Sequence, residues 1–281
     1  MKQKISNMEF PLQLSDGREV TFVIEGVREN RPMERSFVFA LHKSGSVLLN
    51  SMIKEVVDSV DIPFVDLPVY LFSNGIKLPE VVSGTADVFA MKGCVFGGFR
   101  HFPPPALEVG NFSDSKSILL VRDPRDILVS FYFSMLKSHA IPKSGAARDT
   151  LLAERERVSD FDIDEFVREK SAFVIKQFQR YERQLLAKHS GSCRLFRYED
   201  VIFEKTQWLS DVCQWFGWNV DPALIEKVAN AHDIRPSEEN TDAHIRRVAP
   251  GDHREKLSEE TIEWLNQELR ETVAPFGYDL T

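Results

Sequence analysis

The stretch Phe37-Val38-Phe39-Ala40-Leu41-His42-Lys43-Ser44-Gly45-Ser46-Val47-Leu48 decides the fold class. Five apolar residues in a row suit a strand buried on both faces, as in a parallel sheet. His42 to Ser46 interrupts the run. Val47, Leu48, Met52, Ile53, Val56 and Val57 then recur at the spacing of one helix face. Strand, polar loop and amphipathic helix form the first half of a βαβ unit.

The alternation continues downstream. Strands are expected at Val88–Met91, Ile118–Val121 and Arg194–Phe196. Helices are expected at Ile127–Leu136, Phe166–Leu186, Trp208–Phe216 and Ile262–Leu269, with Gly217 as a C-cap. Such an order predicts right-handed crossovers and an α/β, P-loop-like three-layer domain, a central parallel sheet flanked by helices. Upstream, Pro11–Leu14 and Val20–Ile24 flank Ser15-Asp16-Gly17-Arg18, an Asp-Gly turn signal, and predict an N-terminal β-hairpin. One domain over residues 1–281 is expected, with the hairpin and a polar linker in 1–35 and the core in 36–281. Lys137–Asp160 has weak periodicity and reads as a surface loop.

Composition narrows the function classes. The 281 residues carry 35 Lys+Arg against 43 Asp+Glu, a formal charge of −8. That balance argues against a nucleic-acid binder working through a globally basic surface. It leaves room for a small anionic ligand held by a few cations. Cys94, Cys193 and Cys213 form no C-x-x-C pair and no disulfide framework. No apolar run has signal-peptide or membrane-span character, so the cytoplasm is the expected compartment. Seven histidines include no H-E-x-x-H spacing, and no metal site is expected.

Three short motifs carry chemistry. Lys43-Ser44-Gly45-Ser46 sits between strand and helix, where ligands bind in α/β sheets. Helix-start N–H groups attract anions, Gly45 permits close approach and Lys43 adds a charge; an ordinary serine N-cap explains the motif as readily. An ATP or GTP phosphate loop places Lys after its second glycine, and this loop does not. Arg122, at a strand end, and Ser130, within the next helix, can bracket a second phosphate; Asp123-Pro124 also reads as a plain helix cap. Phe99-Arg100-His101-Phe102 precedes a stiff run of prolines, and a histidine near pKa 6.5 can serve as a general base or simply occupy a surface loop.

In this order the pieces resemble the sulfotransferases that use 3′-phosphoadenosine-5′-phosphosulfate (PAPS). His42–Leu48 is similar to the family's P-K-S-G-T-T-W, and Arg122–Ser130 matches its Arg-to-Ser spacing. Arg100-His101-Phe102-Pro103 looks like T-H-L-P, Tyr198-Glu199-Asp200 like Y-E-D, and Arg246–Arg254 like the C-terminal R-K-G-x-x-G-D-W-K. The departures are Leu48 for the adenine-facing aromatic, Phe99 for a lysine, Val248 for a glycine and His253 for a tryptophan. The chain thus resembles a divergent member of bacterial style.

The resemblance implies in-line sulfuryl transfer from PAPS, without a metal, to a hydroxyl or amine of a small-molecule, lipid or carbohydrate acceptor. The bisphosphate product is 3′,5′-adenosine bisphosphate (PAP). It implies catalytic roles for His101, Lys43 and Ser130. Cofactor contacts are implied for Lys43, Ser44, Gly45, Ser46, Val47, Arg122, Ser130, Tyr198, Arg246 and Arg247. Tyr198 would lie near adenine, although a half-buried core tyrosine reads equally well. Acceptor loops are expected at Leu67–Val82, Phe102–Phe112 and Lys137–Asp160. The rival readings are a P-loop kinase and a non-catalytic nucleotide-binding protein.

Overall fold

A computed structural model describes residues 5–28, 33–100, 103, 112–138, 141, 145–236 and 246–280. The run Ser36–Ala40 is the central strand of a five-stranded sheet, fully buried along its length. Naming the hairpin strands β1 (Ile5–Leu14) and β2 (Glu19–Arg28), this strand is β3. It leads into helix α1 (Ser46–Ser59), whose inner face is Leu49, Met52, Ile53, Val56 and Val57. The chain continues through β4 (Phe64–Val65), α2 (Leu67–Ser73), β5 (Val81–Ser83), α3 (Thr85–Ala90), β6 (Val95–Phe99) and β7 (Lys116–Val121). Helix α4 (Pro124–Phe133) extends into a π-helical turn, Ser134–Ser138. Then come α5 (Ala146–Arg157), α6 (Ile163–Tyr181), β8 (Cys193–Arg197), α7 (Tyr198–Val201), α8 (Lys205–Phe216), α9 (Pro222–Ala231), α10 (His253–Lys256) and α11 (Glu259–Val273).

The main sheet has the order β4-β6-β3-β7-β8, and every pairing in it is parallel. From β3 the chain first runs outward to β4, returns to β6 on one side, and crosses to β7 on the other. The crevice at the carboxyl ends of β6, β3 and β7 is therefore the natural ligand position. One face of the sheet packs through Phe37, Phe39, Phe96 and Phe99 onto α4, α6 and α11; the other packs through Val38, Ala40, Ile118 and Leu120 onto α1, α8 and α9. The expected three layers are present.

The hairpin is also present, with strands longer than the alternating core of the motif. Its buried residues Phe10, Leu12, Leu14, Phe22 and Ile24 join the same apolar cluster as Phe37 and Phe39. The Tyr70 hydroxyl donates to the Thr21 carbonyl at 2.9 Å, tying the hairpin to α2. β5 pairs with β1 and makes a second, three-stranded sheet.

Two expectations fail. Val88–Ala90 lies in helix α3, with Thr85, Val88 and Phe89 buried at helical spacing; the strand is Val95-Phe96-Gly97-Gly98-Phe99, whose glycines disguise it. Over the expected loop Lys137–Asp160, residues Ala146–Arg157 form a helix. Its end is held by Arg157, which donates to Glu154 and Glu169. Residues 139–140 and 142–144 of that segment lie outside the described set. The other expected helices form, and Gly217 ends α8 with φ 75°.

Candidate active site

The loop after β3 turns sharply. Lys43 takes φ 65°, and Gly45 takes φ 94° as the N-cap of α1. Gly45 is required twice over. Its φ strains any L side chain, and a Cβ there would lie 3.2 Å from the Tyr198 ring. With that turn made, the first N–H groups of α1, which lack partners inside the helix, face a cavity of about 300 Å³. Lys43, Gly45, Ser46 and Val47 line it. Ser44 does not. Its hydroxyl approaches the carbonyls of Leu41 at 2.7 Å and Leu120 at 3.1 Å, locking β3 to β7 beneath the loop.

Opposite the loop stand the residues of the β7–α4 turn. Arg122 and Ser130 both line the cavity, joined by Ser134 of the π-helical turn. The Arg122 guanidinium lies 4.6 Å from the Tyr198 ring centre, in cation–π range, and its Nη2 is 3.5 Å from Asp126 Oδ2. Its Nε is buried with no hydrogen-bond partner among the described residues. A buried donor left unmet is costly, and a ligand oxygen at this spot would satisfy it.

The C-terminal signature closes the cavity. Arg246, Arg247 and Val248 line it. Arg246 is buried, pairs with Asp252, and places its guanidinium 4.2 Å from the Phe133 ring centre. Arg247 Nη2 donates to Glu255 Oε1 at 2.7 Å. Two anchors fix this segment. The Tyr198 hydroxyl donates to the Val248 carbonyl at 3.0 Å, and Asp126 accepts the N–H groups of Gly251 at 2.7 Å and His253 at 3.0 Å.

Positive charge therefore gathers around Lys43 in the cavity wall. Burial and the charges of Arg100, Arg122 and Arg246 push the Lys43 ammonium down to about 8. A cluster of cations that depresses a lysine in this way is complementary to a multiply charged anion. The lining also includes the apolar side chains Leu48, Ile202, Ile234 and Val248, with His232 and Lys205. His232 Nε2 contacts Glu55 Oε1 at 2.7 Å, and Lys205 Nζ donates to Asp233 Oδ1 at 2.6 Å.

Of the residues expected from sequence, Lys43, Gly45, Ser46, Val47, Arg122, Ser130, Tyr198, Arg246 and Arg247 meet around this one cavity. Ser44 lies beneath it, and His101 is outside the described residues. Arg100, Ser134, Lys205, His232 and Ile234 also line the wall without having been singled out. Only Arg100 had a signal, its place beside His101. Within Tyr198-Glu199-Asp200, the middle residue proves structural: Glu199 accepts the Asp123 N–H and the Tyr278 hydroxyl, each at 2.8 Å, and so holds the start of α4. Burial, the largest influence, raises its carboxyl above the usual range.

Among the described residues no helix is long and apolar enough to cross a membrane, and no group of three His, Cys, Asp or Glu side chains is placed to hold a metal ion.

Known proteins share this architecture. Mouse sulfotransferase SULT7A1, solved with PAP, matches with a TM-score of 0.56 at 14% identity, over 85% of this chain and 84% of its own. Retinol dehydratase, solved with retinol and PAP, matches with a TM-score of 0.51 at 15% identity, over 92% of this chain and 91% of its own. At such identities the likeness is one of fold. No curated protein matches in sequence. The sequence profile of the sulfotransferase domain matches residues 33–277, from just before β3 to the end of the α11 region. The hairpin lies before the match, and the chain belongs to the sulfotransferase domain family.

Proposed function

We propose that the protein transfers a sulfuryl group from PAPS to a hydroxyl or amine of a small-molecule acceptor. The observation that carries this reading is the cavity lined by Lys43, Arg122 and Arg246 together with apolar side chains, where the buried Arg122 Nε has no hydrogen-bond partner among the described residues. Two phosphates and a purine need such a cavity. That both related structures hold PAP supports the same reading.

When bound, PAPS supplies an activated sulfuryl group whose leaving group is a phosphate. The chain's own residues supply the rest. Lys43 and the N–H groups at the start of α1 hold the 5′ end and stabilise the charge that grows on the bridging oxygen, a preorganised electrostatic role. Arg122, Ser130 and Arg246 hold the 3′-phosphate, and Arg247 covers it. Leu48, Ile202, Ile234 and Val248 give the base an apolar slot, and Tyr198 stiffens the floor between Gly45 and Arg122. His101 takes the acceptor's proton as its oxygen or nitrogen attacks sulfur; positioned base catalysis contributes roughly 10²–10⁴-fold.

The test is transfer of labelled sulfate from PAPS over a panel of hydroxyl and amine acceptors, beside calorimetric titration with PAP and with ATP·Mg²⁺. Transfer and PAP binding are expected, and His101→Ala is expected to abolish transfer while PAP still binds. Binding of ATP·Mg²⁺ in preference to PAP would overturn the reading in favour of a kinase-type site.

A further inference from the structure

β6 contains one residue too many for its partner. Phe37 pairs with Phe96 and Phe39 with Phe99, so two steps on β3 match three on β6. The extra residue falls at Gly97-Gly98, and Gly98 takes φ 75°. A bulge of this kind shifts the alternation of every side chain beyond it. Phe96 and Phe99 consequently both enter the aromatic core, 5.1 Å from Phe37 and from Phe39 respectively. Arg100, the next residue, then leaves on the opposite face, the side of α1, and lines the cavity.

Three adjacent strand exits thus carry a cation each: Arg100 after β6, Lys43 after β3, and Arg122 after β7. Two residues before Arg100, Gly98 packs against Asp66, the N-cap of α2, which accepts the Val69 N–H at 3.1 Å. Asp66 reaches past the bulge because Gly98 has no side chain; a Cβ there would lie 1.7 Å from Asp66 Oδ1. The Gly98 N–H is held in turn by Asn50 Oδ1 of α1 at 3.2 Å. Burial, then the attraction of Asp66, act in opposite senses on the Arg100 guanidinium, with burial the larger. On the Asp66 side burial raises the carboxyl, and Arg100 and Lys54 pull it back.

We infer that Arg100 is a catalytic residue of the transferring end, its guanidinium holding oxygens of the sulfuryl group and of the 5′-phosphate, and that Asp66 is its positioning residue. The assignment rests on the PAPS reading above. It gives the site a cation at the β6 exit, where Phe99 is spent on the core. In the step itself the bond from the bridging oxygen to sulfur breaks and its electron pair stays on the 5′-phosphate. A bond from the acceptor's oxygen or nitrogen to sulfur forms, and the acceptor's proton leaves to the base. Arg100 neither gives nor takes a proton; it neutralises charge on the non-bridging oxygens throughout. A planar fork suits two oxygens on neighbouring centres better than a second lysine would.

The test compares PAP with adenosine 3′-monophosphate, which lacks the 5′-phosphate, by calorimetric titration of wild type, Arg100→Gln, Arg100→Lys and Asp66→Asn. Arg100→Gln is expected to weaken PAP about 10–100-fold, the range for a lost charged hydrogen bond, and to leave the 3′-monophosphate unchanged. Arg100→Lys is expected to recover part of the loss, and it decides the matter should the glutamine variant fail to fold. Asp66→Asn keeps an oxygen to cap α2 and is expected to weaken PAP alone, by less than Arg100→Gln. With an acceptor in hand, Arg100→Gln is expected to lower kcat on the order of 10²-fold with the acceptor KM unmoved. Equal losses for both nucleotides, or none, would overturn the assignment while the PAPS reading stands. A wild type that binds neither nucleotide overturns both.

Discussion

Asp126 Oδ1 lies 2.7 Å from His253 Nδ1, across 127 residues of sequence. Through this contact the helix behind Arg122 and the C-terminal arginine segment become one unit. The same carboxylate accepts the N–H groups of Gly251 and His253 and neighbours Arg122, so four groups depend on it. Burial acts to raise its pKa. The His253 hydrogen bonds and the Arg122 charge more than offset that, and the carboxyl is held well below the usual range.

Asp126→Ala is therefore expected to cost about 3–5 kcal/mol, the penalty for breaking a buried pair from one side, and to lower Tm in differential scanning calorimetry. Asp126→Asn keeps the shape but not the charge, and is expected to cost less while still weakening PAP. The pH dependence has a defined sign. A carboxyl depressed on folding stabilises the protein above its unfolded pKa, and that stability is lost as pH falls through and below the ordinary carboxylate range. Wild type is thus expected to lose more stability than Asp126→Asn between neutral pH and about pH 3, measured by urea unfolding at each pH. Parallel curves would contradict the role given to Asp126.

Lys43 has a linkage of the same sign at higher pH. Its ammonium is pushed down to about 8 from an ordinary 10.5 by burial and by three arginines. Between those values the unfolded chain binds the proton more tightly, so this group makes stability rise with pH. Anion binding runs the other way, because only protonated Lys43 attracts a phosphate. PAP binding at pH 8 is expected to take up protons, seen as different apparent enthalpies in buffers of unequal ionisation heat. Lys43→Arg, charged throughout, is expected to abolish the difference; uptake that persists in this variant would remove Lys43 as its source.

Arg122 bears on which phosphate sits where. Its buried Nε, without a partner among the described residues, and its place over Tyr198 underlie its proposed hold on the 3′-phosphate, which PAP has and AMP lacks. Arg122→Ala is expected to weaken PAP by roughly 10–100-fold, as for a lost hydrogen bond to a charged group, and AMP far less. Equal losses in parallel titrations would contradict the assignment.

What could be read from sequence divides along a physical line. The β3 run, the Lys43 loop and the Arg122–Ser130 turn are local, since each needs only its own neighbours to form, and each falls where its pattern places it. Arg100 was hidden because its direction depends on a bulge, a property of two strands paired across about sixty residues, and the glycines that make the bulge also masked the strand. Ser44 has the right type for a phosphate contact, yet the carbonyls of Leu41 and Leu120 claim its hydroxyl. His232 reaches the wall through a contact with Glu55 on another helix. The weak periodicity of Ala146–Arg157 reflects a helix whose C-terminal end is held by charge.

The apolar lining of the cavity gives the last prediction. In the proposed reading Leu48 and Ile234 line the slot for the base, and Ile234 is 51% exposed, so that slot is open and aliphatic. Aliphatic walls exclude water from a base but offer no π surface, and base–aromatic stacking is worth about 1–3 kcal/mol per base relative to alanine. Leu48 is half-buried in the first turn of α1, where a larger side chain can extend over the cavity rather than into the core. Leu48→Trp is accordingly expected to tighten PAP by about 1 kcal/mol, roughly five-fold, and to leave the affinity for pyrophosphate, which has no base, unchanged. Tm should move little, because the buried face of α1 is formed by Leu49, Met52, Ile53, Val56 and Val57. Tighter pyrophosphate binding would assign the effect to the loop amides instead of the slot, and weaker PAP binding would show that the base lies elsewhere.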